Sequence, residues 1–114
     1  MSAPVNPFRP SQGTTKTLSA SGTSASVTFD AKDVSSASLN AGTIGGHSVM
    51  RVYNAGTQVA FARWGTGAQT ATTADMPLIP GVVEVFSKAM ADDTFAAITA
   101  SSTATIYITC GEGV

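Results

Sequence analysis

The chain has 114 residues and a formal net charge of −1, and Asp, Glu, Lys and Arg together make up only 11% of it, where an average soluble domain carries roughly 25%. That length allows one domain with one modest core, and the scattered, nearly balanced charge supplies no field to draw in nucleic acid or an anionic membrane. A surface made mainly of Ser, Thr, Ala, Gly and Asn costs little to desolvate, which suits a subunit packed against other subunits; a Thr-rich β protein with a neutral surface has the same composition.

Residues 1–13, "MSAPVNPFRPSQG", read as an extended arm. Pro4, Pro7 and Pro10 recur at every third position, each fixing its own φ and pushing the preceding residue toward extended geometry. Phe8 and Arg9 stand out between them. Phe8 reads as an anchor, on this domain or on a neighbour, or else as an incidental residue of a frayed terminus. The segment has no apolar run of signal-peptide type, so no secretory leader is expected.

From residue 14 onward the pattern is that of a single β domain. "TKTLSA" (15–20) and "SASVTF" (24–29) alternate, with Leu18, Val27 and Phe29 as inward candidates and Ser21-Gly22-Thr23 as the turn between them. The stretch 30–46 is weaker, with a short strand expected around Val34 to Leu39 and a Gly-rich loop after it. Ser48 to Tyr53 and Thr57 to Trp64 flank Asn54-Ala55-Gly56 and predict a hairpin whose three-residue loop ends in a left-handed glycine. Both faces of that hairpin carry apolar residues, so a second layer or a partner should cover the outer one. "QTATT" (69–73) is a short strand candidate, 75–80 a loop pinned by Pro77 and Pro80, and Pro80-Gly81 a turn. Strands are expected at 82–88, 94–99 and 103–110, the last alternating Ile106, Ile108 and Cys110 against Thr105, Tyr107 and Thr109 and ending at Gly111. No helical period persists. About eight short strands at this spacing predict an all-β fold, an antiparallel β-sandwich of jelly-roll type, with the arm in front of it.

The chemistry-bearing residues are few. Gly65-Thr66-Gly67 lacks the Lys and the following helix of a phosphate loop and reads as a turn. Asp30 with Asp33, and Asp92 with Asp93, lack the ligand number of a calcium loop. His47 and Cys110 are the only residues of their types and no motif links them, so neither a zinc site nor a nucleophile–base pair is expected. Cys110 allows no intrachain disulfide and reads as a buried thiol. No catalytic residue, cofactor or metal is expected. Trp64 is assigned to the core, and Arg63, on the opposite face of the same strand, to the surface or to a subunit contact.

One longer pattern goes further. "RVYNAGTQVAFARWGTGAQTATTADMPLIPGVVEVFS" followed by "FAAITASSTATIYITCGEG" resembles small virion proteins of tailed bacteriophages. The positions concerned are Val52, Asn54 and Gly56; Ala60 to Arg63 and Gly65; Ala71 to Thr73; Pro77, Pro80 and Gly81; and 97–113. The resemblance spans roughly the C-terminal two thirds and lies in turn and core positions. It implies a capsid decoration or cement protein, often a jelly roll, made in the bacterial host cytoplasm and located on the virion. It would bind the major capsid protein from outside and assemble as a homo-oligomer, a trimer before a dimer, with no direct nucleic-acid or membrane contact. Contact would run through the arm (Pro4, Pro7, Phe8, Arg9, Pro10) and Arg63. A tail, neck or fibre-associated component and a carbohydrate-binding β-sandwich module are the alternatives, and an enzyme is not expected.

Overall fold

Two-residue alternation and the scarcity of helix-forming sequence leave this chain little choice but strands, and strands with one apolar face must bury it against a second sheet. The computed structural model of the protein describes residues 8–34 and 47–112. Nine strands follow in chain order: β1 (Arg9–Pro10), β2 (Lys16–Ala20), β3 (Ala25–Thr28), β4 (Val49–Asn54), β5 (Ala60–Gly65), β6 (Met76–Leu78), β7 (Val83–Ser87), β8 (Thr94–Thr99) and β9 (Ala104–Glu112). A single 3₁₀ turn, Ala31–Asp33, lies between β3 and β4.

The strands form two antiparallel sheets. In the first, β9 pairs with β4 on one side and with β2 and then β1 on the other, and β7 pairs with β4. In the second the order is β3-β8-β5-β6. The fold is an all-β sandwich. Leu18, Met50, Val52, Ile106, Ile108 and Cys110 from the first sheet meet Ala60, Ala62, Leu78, Phe95 and Ala97 from the second in one buried cluster, with Phe29 beside them. Full burial of Phe95 alone stabilises the fold by about 2–3 kcal/mol.

From β2 to β9, every connection except β5–β6 passes from one sheet to the other. This corrects the expected hairpin at 48–64. β4 and β5 flank Asn54-Ala55-Gly56 as expected but belong to different sheets, and the loop is a corner between layers. β2 and β3, too, are joined by a turn between sheets. At the Asn54 corner, the buried side chain accepts a hydrogen bond from the Gly56 N–H (2.9 Å) and donates to the carbonyls of Gln58 (2.9 Å) and Leu78 (3.0 Å). Gly56 is not in the left-handed region. It is required for another reason: a Cβ there would lie 2.8 Å from Cα and Cβ of Ala104.

Other boundaries move for identifiable reasons. Residues 69–73 are loop, and the short strand falls instead on Met76–Leu78, where Pro77 is tolerated because β6 pairs only with β5 among the described residues. Pro80-Gly81 is the turn expected: Val82 N–H donates to Ile79 O with Gly81 at φ 78°, the arrangement that favours Pro then Gly. β9 does not end at Gly111 but continues to Glu112, because Pro10 and Arg9 pair with Gly111 and Glu112. The strand expected near 34–39 lies outside the described residues beyond Val34.

The close approach at Gly56 gives a direct test. Gly56→Ala must push against backbone, so it should lower unfolding free energy by about 2–3 kcal/mol in urea titration. Gly22→Ala, where a Cβ meets nothing within 4 Å, should stay within about 0.5 kcal/mol of the parent.

Candidate interaction surface

The outer faces of the two sheets differ. Over the second sheet the chain covers itself: Arg63 donates to Thr70 O (3.4 Å) and lies 3.7 Å from Asp75 Oδ1, and Ala71 N–H donates to Ser24 Oγ (2.8 Å). The segment 66–75 thus runs from the end of β5 back to the start of β3. Ala71 and Ala96 are buried there, apart from the main core. The layer expected to cover the outer face is, on this sheet, the chain's own loop.

The first sheet has no such cover among the described residues. Its register places Tyr107, Tyr53 and Val83 side by side on β9, β4 and β7, and Thr109, Arg51 and Val85 in the next row. Tyr53 (37%), Tyr107 (39%), Val83 (46%) and Val85 (39%) are all exposed, and the two tyrosine rings stack with centroids 6.3 Å apart. Val82 and Ile79, just before β7, are exposed as well. Sequence reasoning did not assign this surface, although the signal was present: Tyr107 alternates with Thr105 and Thr109, and Tyr53 stands two residues from Arg51, so each shares the polar side of its strand.

The residues expected to make contacts are not brought together. Pro4 and Pro7 lie outside the described residues. Phe8 is half-buried and anchors on this domain, its ring 5.5 Å below the Arg51 guanidinium and close to Gly111, where the lack of a side chain leaves it room. Arg9 and Pro10 are exposed and paired with β9 along the edge of the first sheet. Arg63 lies on the second sheet, half-exposed and turned to its own loop. Trp64 points the other way, stacked on Phe95 at 5.9 Å and tilted against Phe86 at 5.1 Å, with its indole N–H donating to Ser87 O (3.2 Å).

A buried polar cluster joins residues that no motif connects. Lys88, 5% exposed, donates to the carbonyls of Asp33 (3.0 Å), Asp92 (3.1 Å) and Ala89 (3.3 Å), and its ammonium lies 5.4 Å from the centre of the Phe29 ring. The Asp33 carboxylate, 1% exposed, meets His47 Nδ1 at 2.8 Å. Burial holds the Lys88 amine below its ordinary value. Burial, and then the Asp33 carboxylate, pushes the Cys110 thiol up to about 12. A thiol so held is no nucleophile at neutral pH, and the His47 ring is taken up by Asp33. Among the described residues no group of three His, Cys, Asp or Glu side chains is placed to hold a metal ion. The cluster ties the 3₁₀ turn, the start of β4, the end of β7 and the 89–93 turn together, and its visible role is structural.

Compared with protein-family models, with curated proteins and with solved structures, the chain gives no match.

Two outcomes follow from the cluster. Lys88→Met leaves the Asp92 carbonyl without a donor and takes the second donor from the carbonyls of Asp33 and Ala89, which keep the N–H groups of His47 and Asp92. It should lower stability by about 1–3 kcal/mol in denaturant titration. For Cys110, the folded thiol keeps its proton to higher pH than the ordinary value of 9.0, so its contribution is fully present below that pH and lost as pH rises toward about 12. Lys88 acts in the opposite direction, its charge penalty being relieved as pH rises. The stability advantage of wild type over Cys110→Ala should therefore shrink between pH 9.0 and about 12 in matched melts.

Proposed function

We propose that this chain is a structural component of a tailed-bacteriophage particle, a decoration or cement subunit bound outside the major capsid protein shell by non-covalent contact. The observation that carries the reading is the outer face of the first sheet, where Tyr53, Tyr107, Val83 and Val85 stand exposed in adjoining rows on a chain with little charge to oppose association. Tyrosine is enriched in interface cores and charge is depleted there. The sequence resemblance over the C-terminal two thirds supports the same reading. The strand order, β2-β9-β4-β7 facing β3-β8-β5-β6 with the chain passing between sheets at nearly every connection, supports a jelly-roll reading of the sandwich.

In this role each subunit sits where capsomers meet and makes several modest contacts, whose avidity rises when subunits are linked. Residues 8–10 already complete the edge of their own sheet, so of the arm only residues 1–7 would remain to reach along a neighbour. The shell contact is assigned to the exposed tyrosine–valine face, with Arg9 and Pro10 at its border. A carbohydrate-binding reading has one observation in its favour, the exposed Tyr53–Tyr107 pair, since paired aromatics are a common sugar platform.

The test is the particle itself. Quantitative mass spectrometry of purified phage encoding this chain should find it at hundreds of copies, in proportion to the major capsid protein. A few to some dozens of copies would place it in the tail or neck, and its absence from particles, or retention on a glycan array, would overturn the capsid reading.

A further inference from the structure

The two sheets end in four edges, and three of them are blunted against further pairing. β6 is three residues long with Pro77 at its centre, β3 is four residues long, and the β1–β2 edge carries Pro10 and is interrupted between Pro10 and Lys16. Short strands, prolines and interruptions are how sheet proteins protect their edges. β7 has none of these. It runs Val-Glu-Val-Phe-Ser, and among the described residues it pairs with β4 alone. Its charged residue, Glu84, lies on the inner face opposite Val52, and the buried Lys88 follows the strand, a lighter protection than a proline or an interruption.

The ladder fixes which backbone groups of β7 are open. Lys88 N–H donates to Ser48 O at 2.8 Å, so Ser48 and Lys88 form a hydrogen-bonded pair. Such pairs alternate along an antiparallel ladder, so Met50–Phe86 and Val52–Glu84 belong to the same set. The N–H and C=O groups of Val83, Val85 and Ser87 therefore point away from β4. The indole of Trp64 takes the Ser87 carbonyl, and the groups of Val83 and Val85 face outward. Their side chains, 46% and 39% exposed, continue the Tyr107–Tyr53 row up to that edge.

We propose that this edge is a dimer interface, at which a second copy of the chain adds its own β7 antiparallel about a two-fold axis at Val85. The charges of the strand bear on the register. A two-fold at Val85 sets the two Val85 residues in a hydrogen-bonded pair and each Val83 opposite Ser87 of the second copy, all on the outer face, with the Ser87 N–H donating to the Val83 carbonyl while the Ser87 carbonyl already accepts from Trp64. Glu84 then lies opposite Phe86 of the second copy. A two-fold at Glu84, the neighbouring register, would set two carboxylates directly across the ladder, which is unfavourable. The Val85 register also runs the apolar tyrosine–valine rows of both copies into one surface over a sheet that continues through the axis, a self-complementary arrangement of the kind a two-fold requires.

This does not rest on the capsid reading and is measured without a capsid. Light scattering on the full chain over a range of concentrations should give twice the 11.5 kDa of one chain, falling to one copy on dilution. Val85→Pro removes an N–H that points away from β4, so the variant should keep its strand content and halve in mass. Val85→Lys places a charge at the axis and should do the same should the proline variant not fold. Val85→Cys should form a disulfide-linked dimer under mild oxidation, since a hydrogen-bonded pair sets its Cα atoms about 5.5 Å apart, while the buried Cys110 of the parent should give none. Wild type running as one copy at every concentration would overturn the proposal, as would a folded Val85→Pro or Val85→Lys chain that stays double. Single-copy wild type that captures a foreign strand at β7 would likewise overturn it in favour of an unrelated partner.

Discussion

Everything in this sandwich depends on how a short chain passes repeatedly between two layers without leaving buried backbone groups unpaired. The Asn54 side chain carries the hardest of these crossings. β4 ends at Asn54 inside the core, and its amide reaches the loop at Gly56 and Gln58 and the strand β6 at Leu78 together. A buried amide has both donors and an acceptor to satisfy, and here the three bonds span the first sheet, the corner and the second sheet. An apolar residue would pack but would leave the Gly56 N–H and the two carbonyls unanswered, at a cost of about 1–3 kcal/mol for each buried group.

At another set of crossings Lys88 acts with the same logic, using a charged donor. Its ammonium collects the carbonyls of the 3₁₀ turn and of the 89–93 turn, where no ladder supplies a donor. The chain thus uses two of its scarce strongly polar buried groups, Asn54 and Lys88, where strand pairing stops. Between these points the core is aliphatic and aromatic: Met50, Val52, Ile106 and Ile108 on one side and Phe95 on the other, all nearly free of solvent. A polar group spent on a corner is unavailable for other bonds, and Asp33 and His47 are likewise taken up with each other.

The strands were legible because alternation is a local signal: Ile106, Ile108 and Cys110 face in and their neighbours out, as their order indicates. Turn chemistry was legible where the geometry is local too, at Pro80-Gly81. The pairing of strands was not. Asn54-Ala55-Gly56 has the composition of a hairpin loop, and nothing within those three residues distinguishes a loop that returns to its own sheet from one that departs for the other. The reason for Gly56 is Ala104, 48 positions away. Likewise Asp33, His47 and Lys88 are each unremarkable in sequence, and only the fold makes them neighbours. Arg9 and Pro10 were legible as extended from the prolines, whereas the strand they pair with was not, since Gly111 looks like a terminator until Arg9 and Phe8 are laid against it.

The division of labour between the two outer faces follows from one asymmetry. On the second sheet Arg63 is consumed by Thr70 and Asp75, and the loop it holds lies over Ala96, so side chains available for outside contact are few. On the first sheet Arg51 leans over Phe8 instead, at the border, and the middle of the face is left to tyrosine and valine. Leaving such a face bare is unfavourable in water by about 25 cal/mol for each Å² of apolar surface, and a domain of this size has little stability to spare. Among the described residues nothing covers it in the way the 66–75 loop covers the other side. Beside that face the described residues place a strand edge with neither proline nor interruption, so that the groups able to pair and the groups able to pack lie together, where one association can bury both.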